Sequence, residues 1–148
     1  MERIASDGRR EVHLHVMGPD GTHGIDPPFG GAPFAALVWA ARAASAEERQ
    51  RVCGALIAGD CAWLAFGGAG PGAWEEAADK MLAVAAVDAE ADPPRVATTS
   101  HRGEAPADVA AFLLHAAASV RICLFLLLGD DPAVRRALEA AAREALGA

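Results

Sequence analysis

Ile122-Cys123-Leu124-Phe125-Leu126-Leu127-Leu128 is an unbroken apolar run, and its reading decides the fold. A strand with one face in water alternates apolar and polar residues. A run without alternation marks a strand covered on both faces, as crossover helices cover a parallel sheet. A membrane span needs roughly 20 such residues, so this stretch is too short for one. Asp131-Pro132 follows, an N-cap with proline at the first helical position. Val134, Leu138, Ala141, Ala145 and Leu146 then recur at helical spacing.

Working upstream, the same alternation repeats. Pro106 opens a helix whose inner face is expected to be Val109, Phe112, Leu113 and Ala116. Arg95 to Thr98 reads as a strand. Trp74, Ala77, Ala78, Met81 and Leu82 mark a helix, reached through the turn cluster Gly67 to Gly72 from a short apolar strand, Cys61 to Phe66. Ser45-Ala46-Glu47-Glu48 has the form of a capping box, with the Ser45 hydroxyl accepting from the Glu48 amide and the Glu48 carboxylate reaching back. Its helix runs to about Ala58, burying Val52, Leu56 and Cys53, and Gly59 closes it. Phe34 to Ala41 is a strand. Val12 to Met17 alternates with period two, so it reads as a half-buried strand. With no crossover helix after it, this strand is placed at an antiparallel edge, with His13 and His15 partly exposed. The expectation is one α/β domain over residues 1–148, a three-layer αβα sandwich with a mainly parallel sheet of about five strands. Residues 1–10 are expected to be a polar N-terminal tail. Gly18 to Pro33 is expected to be a long glycine- and proline-rich loop, and Asp88 to Pro94 an acidic one.

Composition narrows the function classes. The chain has 148 residues, which suits one domain. Its 53% hydrophobic content includes 37 alanines, yet leaves enough long apolar side chains for a core and excludes a disordered chain. The net charge of −7 argues against a nucleic-acid partner. No apolar h-region follows the charged start, so a soluble cytoplasmic protein without a membrane partner is expected. Cys53, Cys61 and Cys123 have no disulfide or Cys-x-x-Cys spacing and read as buried packing residues of a reducing compartment.

Ligands of open α/β sheets gather beyond the carboxyl ends of the strands. Four loops qualify: Arg42 to Ser45, Gly67 to Gly72, Thr99 to Glu104, and Gly129 to Asp131. Gly68 and Gly70 could turn amides toward an anion, but neither a dinucleotide fingerprint nor a P-loop is present, and Glu75 and Glu76 follow. A tight turn is the simpler reading, and no cofactor is expected. Thr98-Thr99-Ser100-His101, with Glu104, is the densest polar cluster. His101 is the candidate acid–base group, Ser100 or Thr99 the candidate nucleophile or ligand contact, and Glu104 the group that orients the imidazole. Hydrogen bonds that merely close the loop are the plainer account. Trp74 is either core or a wall of this site. His13 and His15 share a strand face and His23 follows in the loop. These are the residues a metal would use, but no second ligand pair at fixed spacing accompanies them, and no metal site is expected.

Trp74 with Asp79, then Thr98-Thr99-x-His101-x-x-Glu104 and an apolar strand, resembles an uncharacterised bacterial family of small α/β proteins, a domain of unknown function. The resemblance covers Phe34 to Gly129. It implies the α/β fold and a site around His101, and no reaction. Two function classes follow. One is a non-catalytic binding or protein-interaction domain of accessory or immunity type, whose acidic balance suits a basic partner. The other is a small hydrolase or transferase acting at the strand ends around His101.

Overall fold

The computed structural model describes residues 1–17, 29–88 and 95–147. Ten elements follow in chain order: β1 (Glu2–Ser6), β2 (Glu11–Met17), β3 (Phe34–Ala40), α1 (Ala46–Ala58), β4 (Cys61–Gly68), α2 (Pro71–Asp88), β5 (Ala97–Ser100), α3 (Pro106–Ala116), β6 (Ile122–Leu128) and α4 (Pro132–Leu146). The six strands form one sheet in the order β1-β2-β6-β3-β4-β5. Every neighbouring pair is parallel except β1 with β2.

The apolar run is the strand it reads as. All seven residues of β6 are buried, between β2 and β3. Its even-numbered side chains, Ile122 to Leu128, join Phe34, Leu64, Phe66 and Trp74 under α1 and α2. Its odd-numbered ones, Cys123, Phe125 and Leu127, join Leu37, Trp39, Leu113 and Leu138 under α3 and α4. The molecule is thus three layers with two apolar cores. Each large side chain withdrawn from water is worth about 1.5–3 kcal/mol. No helix among the described residues is long and apolar enough to cross a membrane.

Four details depart from the sequence reading. Residues 2–6 are not a tail but strand β1, an antiparallel edge on β2. Only Ile4 and Ala5 are buried there, too few apolar residues to show as a pattern. The antiparallel N-terminal edge therefore exists one strand earlier than expected, and β2 lies inside the sheet, paired to β6 along its whole length. Strand β5 is shifted to Ala97–Ser100, because its register is set by Trp63 to Phe66 of β4 rather than by its own composition. Phe112 leaves the inner face of α3 and is 39% exposed. The Gly18–Pro33 and Asp88–Pro94 loops fall largely on residues 18–28 and 89–94, outside the described residues.

The turn from β1 to β2 carries a tie to α3. The guanidinium of Arg10 donates to the carbonyls of Leu114 at 2.9 Å, Ala117 at 3.1 Å and Val120 at 3.2 Å. The last carbonyls of a helix lack partners within it; this cation satisfies that of Leu114 and that of the C-cap Ala117 while matching the helix dipole, and it ties down the Val120 carbonyl of the turn that follows. Arg10→Ala is expected to cost about 2 kcal/mol, from the hydrogen bonds of a charged donor. A lower urea midpoint at unchanged m would register it. Arg10→Lys should recover less than half, since one ammonium does not span three carbonyls in a plane.

Candidate functional site

The chain passes outward from β3 through β4 to β5, then returns across the sheet to insert β6 on the other side of β3. The carboxyl ends of these strands share one rim, and two clusters of polar side chains stand there.

The first is built on β5. Alternation along the strand sends Thr98 and Ser100 to the α2 face and Thr99 to the α3 face. Thr98 donates its hydroxyl to Asp79 Oδ1 at 3.4 Å, and Ser100 donates to Glu75 Oε1 at 3.2 Å. On the other face, Thr99 Oγ1 lies 2.9 Å from His101 Nε2, and His101 Nδ1 lies 2.8 Å from Glu104 Oε2. An ionised carboxylate only accepts, so Nδ1 donates to Glu104, and in the tautomer with its hydrogen on Nδ1 the ring's Nε2 accepts from the Thr99 hydroxyl. The backbone N–H of His101 donates to the Phe66 carbonyl at 2.9 Å. Phe112 packs on the imidazole, ring centroids 4.6 Å apart, and leaves His101 only 7% exposed.

Geometry therefore divides the Thr98–Glu104 candidates. Thr99, His101 and Glu104 form a connected hydroxyl–imidazole–carboxylate line. Ser100, next to His101 in sequence, stands on the opposite face and is held by Glu75. A cavity of about 540 Å³ opens beside Ser100, lined also by Gly68, Gly70, Pro71, Gly72 and Arg102. His101 does not line it. Trp74 does not either; it is 2% exposed and stacks on Phe66 at 6.0 Å, so it belongs to the core.

The second cluster stands at the Arg42–Ser45 loop, one of the four qualifying loops, but the pairing that builds it is not among the sequence expectations. Arg42, just past β3, makes a two-pronged pair with Glu48, Nη1 to Oε1 and Nη2 to Oε2, both at 2.8 Å. The Arg42 guanidinium holds the Glu48 carboxyl below its ordinary range, and Glu48 raises Arg42 in turn. Only half of the capping box forms. The Ser45 hydroxyl accepts from the Glu48 amide at 3.1 Å, but the carboxylate turns to Arg42 instead of reaching back. An arginine six residues before a helix-start glutamate was the available signal. It was missed because a capping box already accounts for that glutamate.

The remaining candidates lie apart. His13 Nε2 meets Glu11 Oε1 at 3.0 Å, and the ring packs on Phe29. His15 is on the same strand face, and burial pushes its pKa down. His23 lies outside the described residues. Among the described residues no group of three or more His, Cys, Asp or Glu could hold a metal. All three thiols are buried and free; burial pushes those of Cys53 and Cys61 up to about 12 and raises that of Cys123. None is a thiolate nucleophile near neutral pH.

A family model matches residues 14–145, from within β2 to the last turn of α4, under the description Domain of unknown function (DUF7684). The chain belongs to the DUF7684 family. The match extends beyond both ends of the Phe34–Gly129 stretch over which the resemblance was read, and it takes in both polar clusters of the DUF7684 domain. No curated protein and no solved structure matches the chain.

Proposed function

We propose that this DUF7684 domain is a non-catalytic binding domain that takes a protein partner at the carboxyl ends of β4 and β5. One observation carries the reading: the base of the polar cluster is enclosed, while Arg102, a cation, lines the open cavity beside it. Both ring nitrogens of His101 are occupied by Thr99 and Glu104 under Phe112. The cavity is lined by Arg102, Ser100 and the Gly68–Gly72 backbone instead. A group that meets donors without a base is held rather than transformed. At contact, Arg102 and Ser100 suit a carboxylate or carbonyl of the partner; over distance, the net charge of −7 steers a basic one. Three buried free cysteines and the acidic balance suit a cytoplasmic protein without a nucleic-acid partner.

Native mass spectrometry of the gently purified chain tests this. The expected result is a discrete complex that protects the amides of residues 68–72 and 100–103 from hydrogen exchange and weakens at least tenfold in Arg102→Glu. A bare chain, or a complex indifferent to Arg102→Glu, would overturn it.

A second reading rests on the Thr99–His101–Glu104 line, whose order and distances are those of a base-activated hydroxyl nucleophile. On that reading Thr99 takes up a fluorophosphonate, and His101→Ala abolishes the labelling. Labelling at Thr99 would replace the binding reading with a hydrolase.

A further inference from the structure

The two edges of the sheet are unlike. At β1 the ladder is broken between Arg3 and Ala5, Glu2 and Arg3 are exposed charges, and α4 packs against the strand. These are the devices by which edge strands avoid pairing with other chains. At β5, Ala97-Thr98-Thr99-Ser100 carries no charge, no proline and no bulge, and threonine favours strand pairing. Among the described residues its outer side has no neighbour in the sheet.

We infer that the β5 edge joins two copies of this chain, antiparallel about a twofold axis at Thr99, into one continuous sheet. The inference does not rest on the binding reading: the seam runs along the strand's side and the cavity opens at its end, with Ser100 and Arg102 common to both.

Backbone polarity sets the register. The amide of His101 points inward, to Phe66 of β4. By strand alternation the amide and carbonyl of Thr99 also turn inward, and those of Thr98 and Ser100 turn outward. Pairing centred on Thr99 sets Thr98 of each copy opposite Ser100 of the other, and such a pair exchanges both bonds. All the outward groups of the strand are then used. Thr99 faces Thr99 in the close, non-hydrogen-bonded position, about 4.5 Å between Cα atoms.

The flanking side chains agree with this arrangement. An axis perpendicular to the sheet keeps like faces together, so Phe112 of one copy comes beside Phe112 of the other. This ring, 39% exposed, overhangs the α3 face of β5 between His101 and Trp63. Charges beyond the strand ends are complementary. Arg102 makes no ion pair among the described residues, and antiparallel pairing sets it toward the end of the second copy that holds Asp79 on Thr98. Arg95 is set toward the second copy's Glu104, which is half exposed. A seam of four residues is small, so the dimer is concentration-dependent rather than obligate.

Sedimentation velocity of the full chain over a wide concentration range tests the inference. The wild type is expected to shift from monomer to dimer as concentration rises. Thr98→Pro removes an outward N–H without touching a bond to β4, and proline is tolerated on an edge strand. Phe112→Lys sets two like charges across the axis. Each variant should weaken the dimer at least tenfold while keeping the wild-type far-ultraviolet circular dichroism. A wild type that stays monomeric throughout, or a dimer that survives either folded variant, would overturn it.

Discussion

Replacing Gly68 with alanine should cost about 4 kcal/mol, a large share of the stability of a domain this size. The glycine ends β4 with φ +83°, and a Cβ there would stand 2.3 Å from the carbonyl oxygen of Ala40 and 2.9 Å from its nitrogen. Two costs add. A left-handed conformation costs an L-residue about 1–2 kcal/mol. The clash is with backbone of β3, an inner strand held by β4 and β6 on either side, and overpacking of that kind costs about 1–3 kcal/mol or more. No flexible side chain is present to yield. Gly70, two residues on, is the internal control. It too has positive φ, +61°, but nothing lies within 4 Å of its Cβ position. Gly70→Ala should therefore cost only about 1 kcal/mol. Chemical denaturation of the two variants beside wild type separates the terms. Equal losses would mean that the close approach of β4 to Ala40 is not what requires glycine at 68.

The second large effect is expected at Glu48. Its side chain is 11% exposed, its partner Arg42 25%, and both oxygens are held by both terminal nitrogens. Removing one member of a largely buried, two-pronged pair takes both of these charged hydrogen bonds from the other, and breaking such a pair typically costs about 3–5 kcal/mol. Some solvent reaches Arg42, so Glu48→Ala is expected near the lower end, about 3 kcal/mol. For a domain of this length that lowers Tm by roughly 6–12 °C. The contribution has a defined pH dependence. Arg42 lowers the pKa of Glu48 in the folded chain below the ordinary 4.5, so the unfolded chain takes up a proton first as pH falls. The stabilisation is fully present above pH 4.5 and is lost as pH drops through the folded value. The stability gap between wild type and Glu48→Gln should accordingly be flat near neutrality and narrow only in acid. A gap that is constant down to the acid transition would remove the ion pair as its source.

Both residues illustrate what a linear reading misses. Gly68 stands in a glycine cluster that reads as a turn, and turns tolerate many residues. Its requirement for glycine comes from Ala40, 28 positions away in the chain. Glu48 reads as a helix cap, and the conformation of the loop from β3 into α1 instead brings its carboxylate to Arg42, six residues back. The polar cluster at β5 was legible as a cluster, because Thr98 to Glu104 are close in sequence. Its division was not. Moving the strand by two residues places Thr99 and Ser100 inside it, and the period of two then puts Ser100 and His101 on different faces. Phe112, read as core, instead closes over His101, because α3 lies against β3 and β4 and leaves β5 to one side.

By itself the sequence determined the layer architecture. An apolar run covered on both faces, alternating with capped amphipathic segments, has few other ways to bury its surface, and local periodicity reports that need directly. It also determined where the polar residues collect. Tertiary structure alone decided that residues 2–6 make an edge strand, that β6 lies beside β3, and that His101 pairs with Thr99 rather than Ser100. The physical reason is the same in each case. Strand pairing, register and facing are set by bonds between residues far apart in the chain, and no short stretch carries a record of its partner.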